Sequence, residues 1–293
     1  MILDYFDYHA PETVDEAVAL LAAPRRPTSI LGGGTWLVPD MAAGKARPRR
    51  IIDLRRASLD YIREDQGAIR IGAMTTYGRL RGSASIQSRV GVLSTMARAV
   101  TGGPQITGRG TIGGAACAAR PASDAPACLA LLRARMRLVS VAGVREVGAA
   151  EFFVGAAKTV LAEGELLSEI LVEAPRAGTR FGFYKLKLCE SSWPIVTAAC
   201  AVADRRDGAC ATLRLAVGGA AATPVCLDLS PLLARGRPAE EVIRAAAAPV
   251  RAAVAVPWAD ELADGAYRLR VAAVAAARAL AAAMGGEARG ASA

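Results

Sequence analysis

The chain has 293 residues, 53% hydrophobic and 22% charged, with a formal net charge of +9. That length can bury a sizeable core without disulfide staples, and the composition excludes a disordered or low-complexity chain. Aromatics are only 5% of residues, and the tightest basic group, Lys45, Arg47, Arg49 and Arg50, is interrupted by Pro48, so a solvated surface is favoured over a nucleic-acid site.

Thr13, with Glu16 three residues on, predicts a capped helix to Ala22, and strands are predicted at Thr28 to Leu31 and Ile51 to Leu54. Between them Gly32-Gly33-Gly34-Thr35 places backbone amides and a hydroxyl directly after a strand. A second unit has a strand at Ala68 to Ile71, a helix at Val90 to Val100 and another at Ala125 to Arg133. A hairpin of Arg135 to Val141 and Val144 to Val147 turns at Ala142-Gly143, and Glu165 to Glu173 runs to a break at Pro175. Beyond it, Arg180 to Leu188, Ile195 to Asp204 and Ala209 to Val217 predict a small antiparallel sheet, the last two joined across Arg205-Arg206-Asp207-Gly208. Helices at Ala239 to Ala247 and Asp264 to Met284 would pack on it, and a polar tail to Ala293 is expected to fray.

Several chemistries are set aside by what the chain lacks. His9 is the only histidine, expected at the surface, which disfavours Ser-His-Asp or Cys-His catalysis and a histidine-ligated zinc. The six cysteines (Cys117, Cys128, Cys189, Cys200, Cys210, Cys226) form no C-x-x-C pair and read as buried small hydrophobes in a reduced compartment. No signal peptide or membrane-length apolar run occurs, because the Ala-rich stretch from Val271 to Met284 is short and carries Arg278. A cytoplasmic protein with no metal and no catalytic side chain of its own is expected.

The densest motif runs from Thr101 to Gly114, with six glycines between Gly102 and Gly114. Glycine lets backbone N–H groups approach a phosphate unobstructed and converge on it. One glycine pair would signify only a tight turn, but two clusters, each beside a threonine, point to a diphosphate shared by both loops. A dinucleotide fingerprint of the Rossmann type fits less well. Asp53 lies nineteen residues past Gly34, where an acid would meet a ribose, yet Leu37 occupies the third glycine position and Asp53 serves equally as a strand-end cap. A P-loop is weaker still, since Gly44-Lys45-Ala46 lacks both the spaced glycine and the Ser or Thr.

Three runs, Leu31-Gly32-Gly33-Gly34-Thr35-Trp36-Leu37, Gly110-Thr111-Ile112-Gly113-Gly114 and Pro121-Ala122-Ser123-Asp124-Ala125-Pro126, resemble the FAD-binding medium subunits of the molybdenum hydroxylases. That group contains carbon monoxide dehydrogenase and xanthine dehydrogenase. The resemblance continues through Ile69 to Thr76, Glu151 to Gly155, Glu165 to Ile170 and Phe183-Tyr184-Lys185, over about residues 1 to 220. It implies an α+β chain: a two-subdomain FAD-binding fold of the PCMH type (residues 1–56 and 57–176), a C-terminal domain with a three-stranded antiparallel sheet and helices (177–285), and a tail (286–293).

By the same resemblance, Leu31, Gly32, Gly33, Gly34, Thr35 and Trp36 on one loop and Gly110, Thr111, Ile112, Gly113 and Gly114 on the other would hold the FAD diphosphate. Asp124 would accept from the cofactor's polyol, with a helix N-cap as its alternative role, and Leu166 would line the cofactor. Lys185 would bring a positive charge to the pyrimidine edge of the flavin; without the motif it would be an exposed strand lysine. Trp193, ahead of Pro194, would cover one flavin face or pack in the core, and Thr101 would neighbour the ring. The chain departs from the family at Thr107, Gly108 and Ala115, where Arg, Asn and Asn are usual, and Trp36 is larger than expected.

The function implied is an electron-transfer subunit. Its FAD would receive electrons from 2Fe-2S clusters of a small subunit, after substrate oxidation at the molybdopterin of a large subunit, in a dimer of heterotrimers. Neither nucleic acid nor a membrane span is expected, and the acceptor could be NAD, oxygen, quinone or a cytochrome. The alternatives are a stand-alone FAD-dependent oxidase or dehydrogenase and a non-redox nucleotide-binding assembly module.

Overall fold

The computed structural model describes residues 4–23, 26–204, 210–233 and 237–285. Its first sheet is parallel, in the order β1-β3-β2, from β1 (Asp7–His9), β2 (Thr28–Leu31) and β3 (Arg50–Asp53). Helices α1 (Val14–Ala22) and α2 (Leu37–Ala42) connect the strands. The capped helix forms as its sequence predicts, with the Thr13 hydroxyl accepting from the Glu16 amide at 3.1 Å. At the end of β3, Asp53 takes the capping role and not that of a ribose ligand. Its carboxylate accepts from the Arg55 amide at 2.9 Å, from the Arg55 guanidinium and from Tyr8. Burial would raise its pKa, but these hydrogen bonds hold it below the usual carboxylate value. His9 sits half-buried on β1.

The second sheet is antiparallel, in the order β4-β5-β10-β6-β7. Its strands are β4 (Ile62–Asp65), β5 (Ala68–Gly72), β6 (Arg135–Ser140), β7 (Gly143–Gly148) and, after the small ribbon of β8 (Phe153–Gly155) and β9 (Lys158–Thr159), β10 (Leu166–Glu173). The central strand β10 is buried from Leu166 to Val172, which explains its unbroken apolar character apart from Ser168 and Glu169. Glu169 is neutralised by Arg70 at 2.8 Å and bonded by Tyr61 at 2.7 Å. Between β5 and β6 lie α3 (Tyr77–Gly82), α4 (Ala84–Arg89), α5 (Gly91–Ala99), α6 (Gly103–Thr107), α7 (Ile112–Ala118) and α8 (Ala125–Leu131); α9 (Ala149–Phe152) follows β7. The core here runs from Ile69 and Ile71 through Leu93 and Met96 to Leu129 and Met136.

The third sheet has the three predicted antiparallel strands, β11 (Arg180–Lys187), β12 (Pro194–Asp204) and β13 (Cys210–Gly218). A fourth, β14 (Val225–Asp228), extends the expected sheet at its edge. Only four residues long and half exposed, it carries no periodicity of its own to announce it. The single helix expected at Ala239 to Ala247 is two, α10 (Ala239–Ala245) and α11 (Ala247–Ala253). Pro249 is the cause, because it has no N–H for the Ala245 carbonyl and its ring would clash there.

The last helix, α12 (Gly265–Met284), lies close on this sheet because small residues face it. Ala272, Ala275, Ala276, Ala279 and Ala283 are buried, and a Cβ on Gly182 of β11 would stand 1.8 Å from the Ala279 carbonyl oxygen. Arg268 is wholly buried in the same helix. It donates to the carbonyls of Ile195, Gly219 (2.9 Å) and Ala263 (3.3 Å) and pairs with Asp260. Arg268→Met should therefore destabilise the chain by about 2–5 kcal/mol in urea unfolding, since it leaves the carbonyls of Ile195 and Gly219 without their buried donor.

The cysteines depart from the expected burial. Cys128 and Cys200 are buried and Cys117 half-buried, but Cys189 and Cys226 are exposed. Cys189 lies on a polar turn with Ser191 and Ser192, and Cys226 on the edge strand, so an apolar neighbourhood in sequence did not mean burial. The Arg205 to Gly208 connection, the Cys210 side chain and the tail from Gly286 to Ala293 lie outside the described residues. No helix among the described residues is long and apolar enough to cross a membrane.

Candidate functional site

Where the first and second sheets meet, the two glycine loops touch. A Cβ on Gly33 would lie 1.8 Å from the Arg109 carbonyl oxygen, and one on Gly32 would lie 3.2 Å from the Thr111 hydroxyl. Gly33 is therefore glycine because another backbone crosses it. Gly113 is similar, with Ala73 backbone and side-chain atoms 2.5 to 2.8 Å from where its Cβ would be. Gly34 has a different reason, a left-handed φ of 74° that starts the turn into α2.

The loops differ in what they offer a ligand. After Thr111, the amides of Ile112 and Gly113 donate to the carbonyls of Thr75 and Ala73, both at 3.0 Å, and that of Gly114 donates to the Thr111 hydroxyl at 3.1 Å. This loop is thus consumed by the protein. The amides of Gly33, Gly34 and Thr35 donate to no group among the described residues. They border a cavity of about 610 Å³, also lined by Gly32, Trp36, Gly110, Thr111, Gly113, Gly114, Leu166 and Arg120. A second cavity, of about 430 Å³, reaches the same loops from Leu31, Arg55, Asp60 and Arg109. Free amides beside an open volume are what an anionic group requires.

Of the residues singled out in the sequence, all of the first loop except Leu31 and all of the second except Ile112 line the larger cavity. Ile112 is fully buried in the core, and Leu31 faces the smaller cavity. Leu166 contributes a nearly buried apolar wall.

Thr101, Asp124 and Lys185 form a separate cluster. The Lys185 ammonium donates to Asp124 Oδ2 at 2.8 Å, to the Ala99 carbonyl at 2.9 Å and to the Thr101 hydroxyl at 3.1 Å. Its three hydrogens are all taken, and the pair is almost fully buried, at 5% and 7% side-chain exposure. Asp124 makes no N-cap bond to α8, and Lys185 is not an exposed strand lysine. Burial pushes the Asp124 carboxyl up while the Lys185 charge pulls it back, and burial lowers Lys185. The other Asp124 oxygen, Oδ1, is buried and has no hydrogen-bond partner, a free acceptor inside the protein. Tyr77, which lines the cavity, has its phenol pushed up by burial first and then by the Asp124 charge.

From Thr101 a hydrogen bond runs on to the Ser192 carbonyl at 3.2 Å, which fixes the turn carrying Trp193. Trp193 is not core; it is 45% exposed and stacks on Trp36, with ring centroids 4.4 Å apart at 21°. The Arg120 guanidinium lies 4.1 Å from the Trp36 ring centroid and donates to Asp40 at 2.7 Å. Arg120 and Asp40 went unnoticed in the sequence, because residues eighty apart that meet on one side chain leave no local pattern. Among the described residues no group of three His, Cys, Asp or Glu could hold a metal ion.

The chain matches two family models: the FAD binding domain in molybdopterin dehydrogenase over residues 4–175, and the CO dehydrogenase flavoprotein C-terminal domain over residues 183–283. It is 37% identical to the carbon monoxide dehydrogenase medium chain of Hydrogenophaga pseudoflava over 276 residues, 93% of this chain and 94% of that one. The corresponding medium chain of Afipia carboxidovorans is 32% identical, covering 94% and 95%. The structure superposes on a chain of reconstituted CO dehydrogenase from Oligotropha carboxidovorans with a TM-score of 0.90 at 31% identity, covering 97% of this chain and 99% of that one.

Proposed function

Because the chain belongs to the FAD-binding subunits of the molybdopterin dehydrogenases, we propose that it is the electron outlet of a multi-subunit molybdenum hydroxylase. The observation that carries this reading is the row of unclaimed amides at Gly33, Gly34 and Thr35, braced from behind by the Thr111 loop and open to the larger cavity. Such a row suits the diphosphate of FAD. The buried, unpartnered Oδ1 of Asp124 suits a polyol hydroxyl, and Leu166 suits an apolar ring system. These residues fit the group. When bound, FAD supplies the ability to accept electrons one at a time and release them in pairs.

This chain's own residues bind, orient and shield. Gly33, Gly34 and Thr35 hold the diphosphate, and Gly32, Gly110, Thr111, Gly113 and Gly114 keep the second loop close enough to wall it in. Ile112 anchors that loop in the core, and Leu31 fixes the strand end before the first loop. Lys185 acts through Asp124 and Thr101 rather than by its own hydrogen bond to a ring, since its donors are spent. Its work is to keep Asp124 ionised and aimed, and through Thr101 to fix the Trp193 turn. Trp36 and Trp193 stack where the N-terminal and C-terminal parts meet, parts that divide at 1–56, 57–176, 177–285 and 286–293.

The name medium chain, printed for two relatives, supports a large and a small partner subunit; in this reading the large one carries molybdopterin, the small one 2Fe-2S clusters, and the three pair as a dimer of heterotrimers in the cytoplasm. Electrons from the clusters would leave through this chain to NAD, oxygen, quinone or a cytochrome. The test is isolation of the complex through a tag on this chain. Molybdenum, iron and flavin should co-purify, and the flavin absorbance should bleach when the reducing substrate is added without acceptor. A metal-free flavoprotein that turns over alone would contradict this and favour a stand-alone oxidase or dehydrogenase; a colourless protein would favour an assembly module.

A further inference from the structure

We propose that Arg120 is the cation that pairs with the cofactor's diphosphate, held in place by the aromatic pair Trp36 and Trp193 and by Asp40. The inference rests on the FAD reading above and adds a residue to it.

The glycine loops supply dipoles but no full positive charge, and a diphosphate brings two negative charges into the cavity. Two cationic side chains line that cavity, Arg26 and Arg120. Arg26 is on its outer edge, more than half exposed and paired with Asp7 at 2.6 Å. Lys185 is already neutralised by Asp124. Arg120 has what the others lack. Its side chain is 40% exposed and lines the cavity, and a single hydrogen bond, Nη2 to Asp40 at 2.7 Å, is its only one among the described residues. That bond uses one of five guanidinium N–H groups, and because Nη2 carries a hydrogen on each of the two forks, the fork turned away from Asp40 keeps both of its N–H groups for another acceptor.

Its position is fixed independently of any such acceptor. The guanidinium rests over the Trp36 ring, and Trp36 is stacked on Trp193, which the Thr101–Ser192 bond anchors from the C-terminal part. Trp36 directly follows the loop whose amides at Gly33, Gly34 and Thr35 are free. The large indole at this position thus has a function: it carries a cation beside the anion-binding amides. A planar guanidinium with one edge on Asp40 presents its other edge for paired hydrogen bonds, the geometry in which arginine binds phosphate oxygens.

The test measures FAD affinity of the full-length chain by flavin fluorescence, with ADP as a competitor that carries the diphosphate but no flavin. Arg120→Gln should weaken FAD and ADP by the same factor, roughly ten- to a hundred-fold for a lost charge-assisted pair. Arg120→Lys should recover part of the loss for both, and Trp36→Leu should weaken both by a smaller factor, with thermal unfolding unchanged in Arg120→Gln. Equal affinity in Arg120→Gln and wild type overturns the proposal. So does a loss confined to FAD with ADP unaffected, which would put the cation at the ring. A wild-type chain that takes up neither FAD nor ADP overturns the FAD reading itself, and this proposal with it.

Discussion

Replacing Gly33 by alanine should empty the protein of flavin while leaving its C-terminal sheet folded. The added Cβ would lie 1.8 Å from the Arg109 carbonyl oxygen and 2.5 Å from its carbonyl carbon, against a practical minimum of 3.0 Å. Both neighbours are backbone atoms, so no rotamer change relieves the clash, and the two loops must part by an ångström or more. Parting them shifts the free amides of Gly33, Gly34 and Thr35 relative to the wall behind them, and several hydrogen bonds to one anion are weakened together. The expected loss of FAD affinity is at least about a hundred-fold. Gly34→Ala is the contrast. There the Cβ meets only the side chains of Leu31 and Val38 at 3.3 Å, and the cost is the left-handed φ of 74°, about 1–2 kcal/mol of stability. Flavin absorbance per protein and urea midpoints separate the two: Gly33→Ala should lose colour far out of proportion to stability, and Gly34→Ala should do the reverse.

Lys185→Met should be among the most destabilising single changes in the chain, by about 3–5 kcal/mol, because it leaves Asp124 buried without its counter-charge. Its pH dependence identifies the cause. Burial already raises the Asp124 carboxyl, and without Lys185 only the weaker pull of Lys187 opposes it. The folded variant then binds a proton more readily than the unfolded chain. A carboxyl raised in this way lets stability increase as pH falls toward its unfolded value and decrease as pH rises through the folded one. The deficit of Lys185→Met should accordingly narrow on acidification and widen toward neutral pH. Adding Asp124→Asn should recover much of the stability at neutral pH, since the amide carries no charge to bury. Urea unfolding across that pH range reads both effects; a deficit independent of pH would mean that Lys185 acts through packing alone.

Much of the fold was legible along the chain because it is written locally. The Thr13 cap, the Ala142-Gly143 hairpin and the three long C-terminal strands each carry their own turn chemistry or alternation. The short edge strand at Val225–Asp228 and the break forced by Pro249 were lost, the first for want of length and the second because a favourable run of alanines hid it. At the site, the glycine loops were visible as composition, but their division of labour was not. Thr111-Ile112-Gly113-Gly114 looks like a phosphate cradle until its amides are found to serve Thr75, Ala73 and Thr111 itself. The Lys185–Asp124 pair and the contacts of Arg120 with Trp36 and Asp40 join residues 61 to 84 positions apart, and no periodicity reports such meetings.

That this chain holds FAD at its glycine loops is tested most directly by how much flavin the protein contains and in which form. Cofactor released from the purified protein by heat or acid, and resolved by chromatography, should be FAD in a ratio approaching one per chain, and absent from Gly33→Ala. Protein that contains no flavin and cannot be reconstituted with FAD, alone or within its complex, would contradict it.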